Sequence, residues 1–80
     1  MPDGYVFKVY DDFGNRHYDY VVWESDQKKA EDIVKNDSVM KNVTKLKDLS
    51  ESSLLGIKEN LLLGAGIEFE KGSFARLSHR

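Results

Sequence analysis

GYVFKVYDDFGNRHYDYVVWE, residues 4–24, is the stretch whose reading decides the fold. Aromatic and β-branched residues crowd both sides of Asp12-Phe13-Gly14-Asn15, the pattern of two strands closed by a tight loop. Asp11 and Asp12 are able to bond their own backbone two residues on, and Gly14 suits the positive φ of a type I turn followed by a bulge. With Asp11 opposite Asn15, Val9 faces His17, Phe7 faces Asp19 and Tyr5 faces Val21. Period-two alternation then gives one face of Tyr5, Phe7, Val9, His17, Asp19, Val21 and Trp23. The other holds Val6, Lys8, Tyr10, Arg16, Tyr18, Tyr20 and Val22.

Both faces carry aromatics, whereas an antiparallel sheet covered on one side reads apolar inward and polar outward. The Phe7, Val9, Val21, Trp23 face has the least polar surface to satisfy on burial and is assigned to the core. The tyrosine face, flanked by Lys8 and Arg16, is then open to solvent. Tyrosine suits the outer face of a strand on structural grounds alone, and it is also enriched at interface hot spots. Lys8, Tyr10, Arg16, Tyr18 and Tyr20 are accordingly the candidate partner-binding residues.

Beyond Trp23 the period changes to helical. Ser25 is the expected N-cap of a helix over 26–35, with Asp26 in its first turn and Ala30, Ile33 and Val34 as its buried stripe. The segment 38–49 fits either period: Val39, Met40, Val43 and Leu46 make a helical stripe, and the β-branched residues at 43–44 favour a strand. A strand over 43–48 is preferred, because it would pair with the hairpin and bury one of its edges. Asp48 and Ser50 compete to cap a second helix over 51–63, rich in leucine, weakened at Gly56 and ending at Gly64. Its apolar positions exceed one stripe, so it serves either the core or a homodimer. Ile67-Glu68-Phe69-Glu70 alternates as a strand, and Lys71-Gly72 reverses the chain into a last strand over 74–77.

The order is thus β-β-α-β-α-β-β, one small α+β domain over 1–80: an antiparallel sheet built on the N-terminal hairpin, with two helices on one face. Eighty residues allow only a small core. With no cysteine, neither a disulfide framework nor a thiolate metal site is available. No apolar run approaches membrane-spanning length and no basic, apolar leader opens the chain, so the expectation is a soluble, cytoplasmic protein.

The residues give no catalytic or cofactor signature, and no enzyme activity, cofactor or metal is expected. His17 and Asp19 share a strand face, a common pairing without chemical meaning, and His79 has no fixed partner in the sequence. Gly64-Ala65-Gly66 follows a helix and precedes a strand, the reverse of a phosphate-cradling order. The serines at 50, 52, 53, 73 and 78 lack a neighbouring base, and Asp11, Asp12 and Asn15 lack the rest of a calcium loop.

Fourteen acidic and twelve basic residues leave a formal charge of −2, which argues against a coat for nucleic acid. The charges are unevenly spread: Asp3, Asp11, Asp12, Asp19 and Glu24 outnumber Lys8 and Arg16 in the first 25 residues. Two functional classes follow. The preferred one is a non-enzymatic interaction module, an inhibitor, adaptor or regulator, binding a protein through the tyrosine face or the apolar second helix. The alternative is binding of single-stranded nucleic acid by base stacking on Tyr10, Tyr18 and Tyr20 beside Lys8 and Arg16.

Overall fold

The structure, a computed structural model, describes residues 1–13, 16–65 and 69–79, with residues 61–65, 78 and 79 described by backbone alone. Its elements are β1 (Gly4–Tyr10), β2 (His17–Val22), α1 (Gln27–Asp37), β3 (Asn42–Leu49), α2 (Glu51–Ala65) and β4 (Phe74–His79). The four strands form one antiparallel sheet in the order β3-β1-β2-β4. The α+β class and the sequence β-β-α-β-α-β stand as expected. The strand expected over 67–70 falls partly outside the described residues, and Phe69 and Glu70 are not in a strand.

The hairpin register differs from the sequence reading by one residue. Asp11 N donates to Arg16 O at 3.2 Å, so Asp11 stands opposite Arg16 rather than Asn15, and Phe7 stands opposite Tyr20, Val9 opposite Tyr18 and Lys8 opposite Asp19. Gly14 and Asn15 lie outside the described residues. A slip of one residue turns every β2 side chain to the other side of the sheet relative to β1. The physical reason for the observed pairing is charge. It gathers Tyr5, Phe7, Val9, Tyr18, Tyr20 and Val22 on a face with no ionisable acid or base from either strand except the phenols, and sets Lys8 against Asp19 on the other. The alternative would have buried Asp19 beside Phe7, at a cost of several kcal/mol or a protonated carboxyl.

Both faces of the sheet are covered. Across the first, Ala30 and Val34 of α1 pack on Tyr5, Phe7, Val9, Tyr20 and Val22, with Tyr18, Ile33, Met40, Val43 and Phe74 at the margin. Across the second, Leu54 of α2 packs with Val21, Trp23, Leu49, Phe69 and Ala75, beside Val6 and Ile57. The two helices therefore sit on opposite sides of the sheet rather than together on one. This arrangement also explains the double-sided aromatic pattern of the hairpin: each of its faces contributes to a core. The Leu61, Leu62 and Leu63 side chains, on which the homodimer expectation depended, lie outside what is described.

The caps follow local chemistry. Asp26, rather than Ser25, caps α1, its Oδ1 accepting from Lys28 N at 3.0 Å and Lys29 N at 3.1 Å. Ser50 Oγ accepts from Ser53 N at the start of α2, and that helix runs past Gly64 to Ala65. The reversal before β4 is made by Ser73 N donating to Glu70 O at 3.0 Å, with Gly72 at φ 86°. Phe69 is carried in by this turn to meet the Trp23 ring at a tilt of 45°, with centroids 5.4 Å apart.

Two glycines give opposite expectations for stability. A Cβ on Gly4 would stand 2.5 Å from Val22 O and 2.9 Å from Leu54 Cδ1, a clash with backbone, whereas one on Gly56 would meet nothing within 4 Å. Gly4→Ala should therefore lower the urea unfolding free energy by about 1–3 kcal/mol, and Gly56→Ala should raise it by roughly 0.5–1 kcal/mol through helix propensity.

Candidate functional site

The residues with surface chemistry gather at the end of the sheet where the hairpin reverses, against the connection from α1 to β3. That connection is short and heavily bonded. Ser38, itself buried, donates its N–H to Val34 O at 3.0 Å and accepts from Met40 N through Oγ at 3.0 Å. Lys41 Nζ donates to Ser38 O at 2.8 Å and to Lys35 O, placing a cation on the carbonyl end of α1 where the helix dipole favours it. On the hairpin side, Asn42 Nδ2 donates to Tyr10 O at 3.2 Å and Asp12 Oδ1 at 2.9 Å, tying the turn to β3. Held between these bonds, Val39 is 94% exposed. Phe13, at the tip of the same end, is 86% exposed.

Two grooves flank Val39 and Met40. The larger, about 370 Å³, is lined by Arg16, Tyr18, Tyr20, Asp37 and Arg76. The smaller, about 250 Å³, is lined by Tyr10, Asp11, Asp12, Lys41 and Asn42. The larger has a fixed floor. Tyr20 is fully buried, and its Oη donates to Asp37 Oδ2 at 2.6 Å, an acceptor that Arg76 Nη1 approaches at 3.8 Å. The Arg76 guanidinium carbon lies 5.4 Å from the centre of the Tyr18 ring, within cation–π range. Burial, reinforced by the hydrogen bond to Asp37, holds the Tyr20 phenol above its ordinary value, against the opposing pull of Arg76. Tyr5 is also raised, first by burial and then by Asp48; its Oη donates to Ser25 O at 2.7 Å.

The five candidate residues do not share one face. Tyr18 and Tyr20 lie on the α1 side, and Lys8 and Tyr10 on the α2 side, with Lys8 Nζ 5.9 Å from the Tyr10 ring centre. The open tyrosine platform is thus corrected: Tyr20 is sealed beneath α1, and Tyr10 faces the opposite way. Four of the five nevertheless meet at this one end of the molecule, Arg16, Tyr18 and Tyr20 in the larger groove and Tyr10 in the smaller. Sequence reasoning missed Asp37, Ser38, Val39, Met40 and Arg76. The one available signal was Val39-Met40, an apolar pair directly after a helix-ending Asn-Asp-Ser, where a turn needs polar residues and has no use for apolar ones.

Asp19 stands opposite Lys8 on one side and Leu77 on the other, and His17 opposite Tyr10 and residue 79. Among the described residues, no three His, Cys, Asp or Glu side chains converge as a metal site, and no helix is long and apolar enough to cross a membrane. Searches against family models, curated proteins and solved structures gave no match to this chain.

The raised phenols fix a sign for alkaline stability. A group whose folded pKa exceeds its unfolded value near 10 contributes stability that is whole below pH 10 and is lost as pH climbs through the folded value. Unfolding free energy should fall above pH 10, and Tyr20→Phe should flatten that fall while costing about 0.5–1.5 kcal/mol at neutral pH for the lost hydrogen bond. Denaturant titrations at neutral and alkaline pH, with phenolate absorbance followed in parallel, measure both effects.

Proposed function

We propose that this chain is a non-enzymatic interaction module that docks a protein partner at the hairpin end of its sheet, with Val39 as the anchor and the two tyrosine-lined grooves as its flanks. The observation that carries the reading is the held exposure of Val39. The turn bearing Val39 is fastened by the bonds of Ser38, Met40 and Lys41. A backbone already held in place loses less freedom on docking, which is how pre-organised surfaces gain affinity. Arg16, Arg76 over the Tyr18 ring, and the carboxylates Asp11 and Asp37 make an aromatic rim of mixed charge on one side. Such a rim suits a partner whose apolar socket for Val39 is bordered by charges of both signs.

Lys8 stands apart from this surface and is not part of the proposed contact. The stacking of unpaired bases needs successive rings on one accessible face, and here Tyr20 is buried while Tyr10 and Tyr18 lie on opposite sides.

A photo-crosslinking side chain at position 39, compared with one at the exposed Leu55 of α2, tests the reading in the native host. Position 39 should capture one protein. Unlabelled wild type should compete for it, and Val39→Asp, an exposed change expected to alter stability by no more than about 0.5 kcal/mol, should not. Equal capture from both positions, or equal competition by Val39→Asp, removes the anchor. Oligonucleotide binding that weakens steeply with added salt would favour nucleic acid in its place.

A further inference from the structure

The two edges of the sheet are built differently. At β3, the edge carries Lys45, Lys47 and Asp48, and the pairing with β1 is interrupted by a bulge between Val6 and Phe7. Charges and bulges are the ordinary defences of an edge against another strand. At β4, Phe-Ala-Arg-Leu-Ser-His pairs with β2 without interruption. Its one charge among the side chains described, Arg76, turns to the α1 side, toward Tyr18 and Asp37. Among the described residues, no strand lies on the outer side of β4.

Hydrogen-bond parity says which backbone groups that edge offers. The bond from Asp11 N to Arg16 O makes 11 and 16 a bonded pair, so by antiparallel alternation residues 18, 20 and 22 bond to β1. Residues 17, 19 and 21 then bond to their partners 79, 77 and 75 on β4. The amides and carbonyls of Phe74, Arg76 and Ser78 are left pointing outward, and their natural complement is another extended strand.

We propose that this strand is β4 of a second copy, paired antiparallel about a two-fold axis so that two four-stranded sheets become one of eight. The outward groups must meet outward groups, which leaves only a few registers. Placing Arg76 opposite its own copy would oppose two like charges directly, an arrangement that destabilises a sheet. A shift of one residue on each strand sets Arg76 opposite Ser78 and brings Leu77 opposite Leu77. That register overlaps residues 75–79 of each strand and keeps the exposed edge self-complementary, as an isologous interface requires. It puts Leu77, which is 40% exposed in the single chain, into a pair without hydrogen bonds, where side chains approach most closely. The Leu77 pair lies on the α2 side of β4, while Arg76, which also lines the larger groove, faces Ser78 of the second copy on the α1 side.

The absence of native cysteine makes a clean test. Opposed residues of such a pair have Cα atoms about 4.5 Å apart, within the range a disulfide spans. Under mild oxidation Leu77→Cys should cross-link to a covalent dimer at least about tenfold faster than Leu55→Cys on α2. By sedimentation the wild type should be dimeric, and Leu77→Lys, checked for its fold by circular dichroism, should dissociate about tenfold or more readily through like charges on the axis. A wild type that stays monomeric at the highest attainable concentration overturns the proposal. So does a dimer that Leu77→Lys leaves intact, or one in which the two cysteine variants cross-link at equal rates.

Discussion

The buried hydroxyl of Tyr20 constrains more of this molecule than any other atom. Its ring is closed off from water between the sheet and α1, and a phenol buried without an acceptor costs on the order of 1–3 kcal/mol. Asp37 satisfies it, but only if α1 continues to that residue, two positions beyond the end expected from its apolar stripe. The extension sets where the helix stops and hence where Ser38 turns the chain. Val39 is presented outward because the helix had to reach the tyrosine.

The hairpin shows how far sequence reasoning reaches. That residues 4–24 form paired strands was legible from alternation and turn chemistry, and so were the helical span around Ala30 and Val34 and the strand after it. The register was not, because turn chemistry alone leaves it open: several loops of neighbouring length serve Asp11 and Asp12 equally. Weighing buried charge would have chosen correctly: one pairing places Asp19 beside Phe7, the other opposite Lys8. The lesson is that an acid in a strand discriminates between registers more sharply than aromatic rings, which tolerate either side.

The same step explains the candidate site. A sheet with aromatics on both faces reads from sequence as half open, and the structure covers it twice. Tyr5, Tyr20, Phe7 and Val9 fill one thin core, and Val21, Trp23 and Phe69 fill the other. Arg16, Tyr18 and Tyr10 line the two grooves for a different reason than expected: they stand at the hairpin end of the sheet rather than on one shared face. Arg76 was beyond reach because its role depends on β4 lying beside β2, a pairing across more than fifty residues of chain that no local pattern announces.

The strand order carries one more consequence. β1, the earliest strand in the chain, is an inner strand whose second neighbour, β3, arrives only after the α1 crossover. During synthesis the hairpin therefore emerges with β1 unpaired along one side, and it stays so for the time taken to translate residues 23–49, on the order of seconds. Closing that side needs long-range contact, the slow kind. A nascent chain with a greasy, temporarily open inner strand is the form in which this small fold is most exposed to chaperones and to its own misassembly.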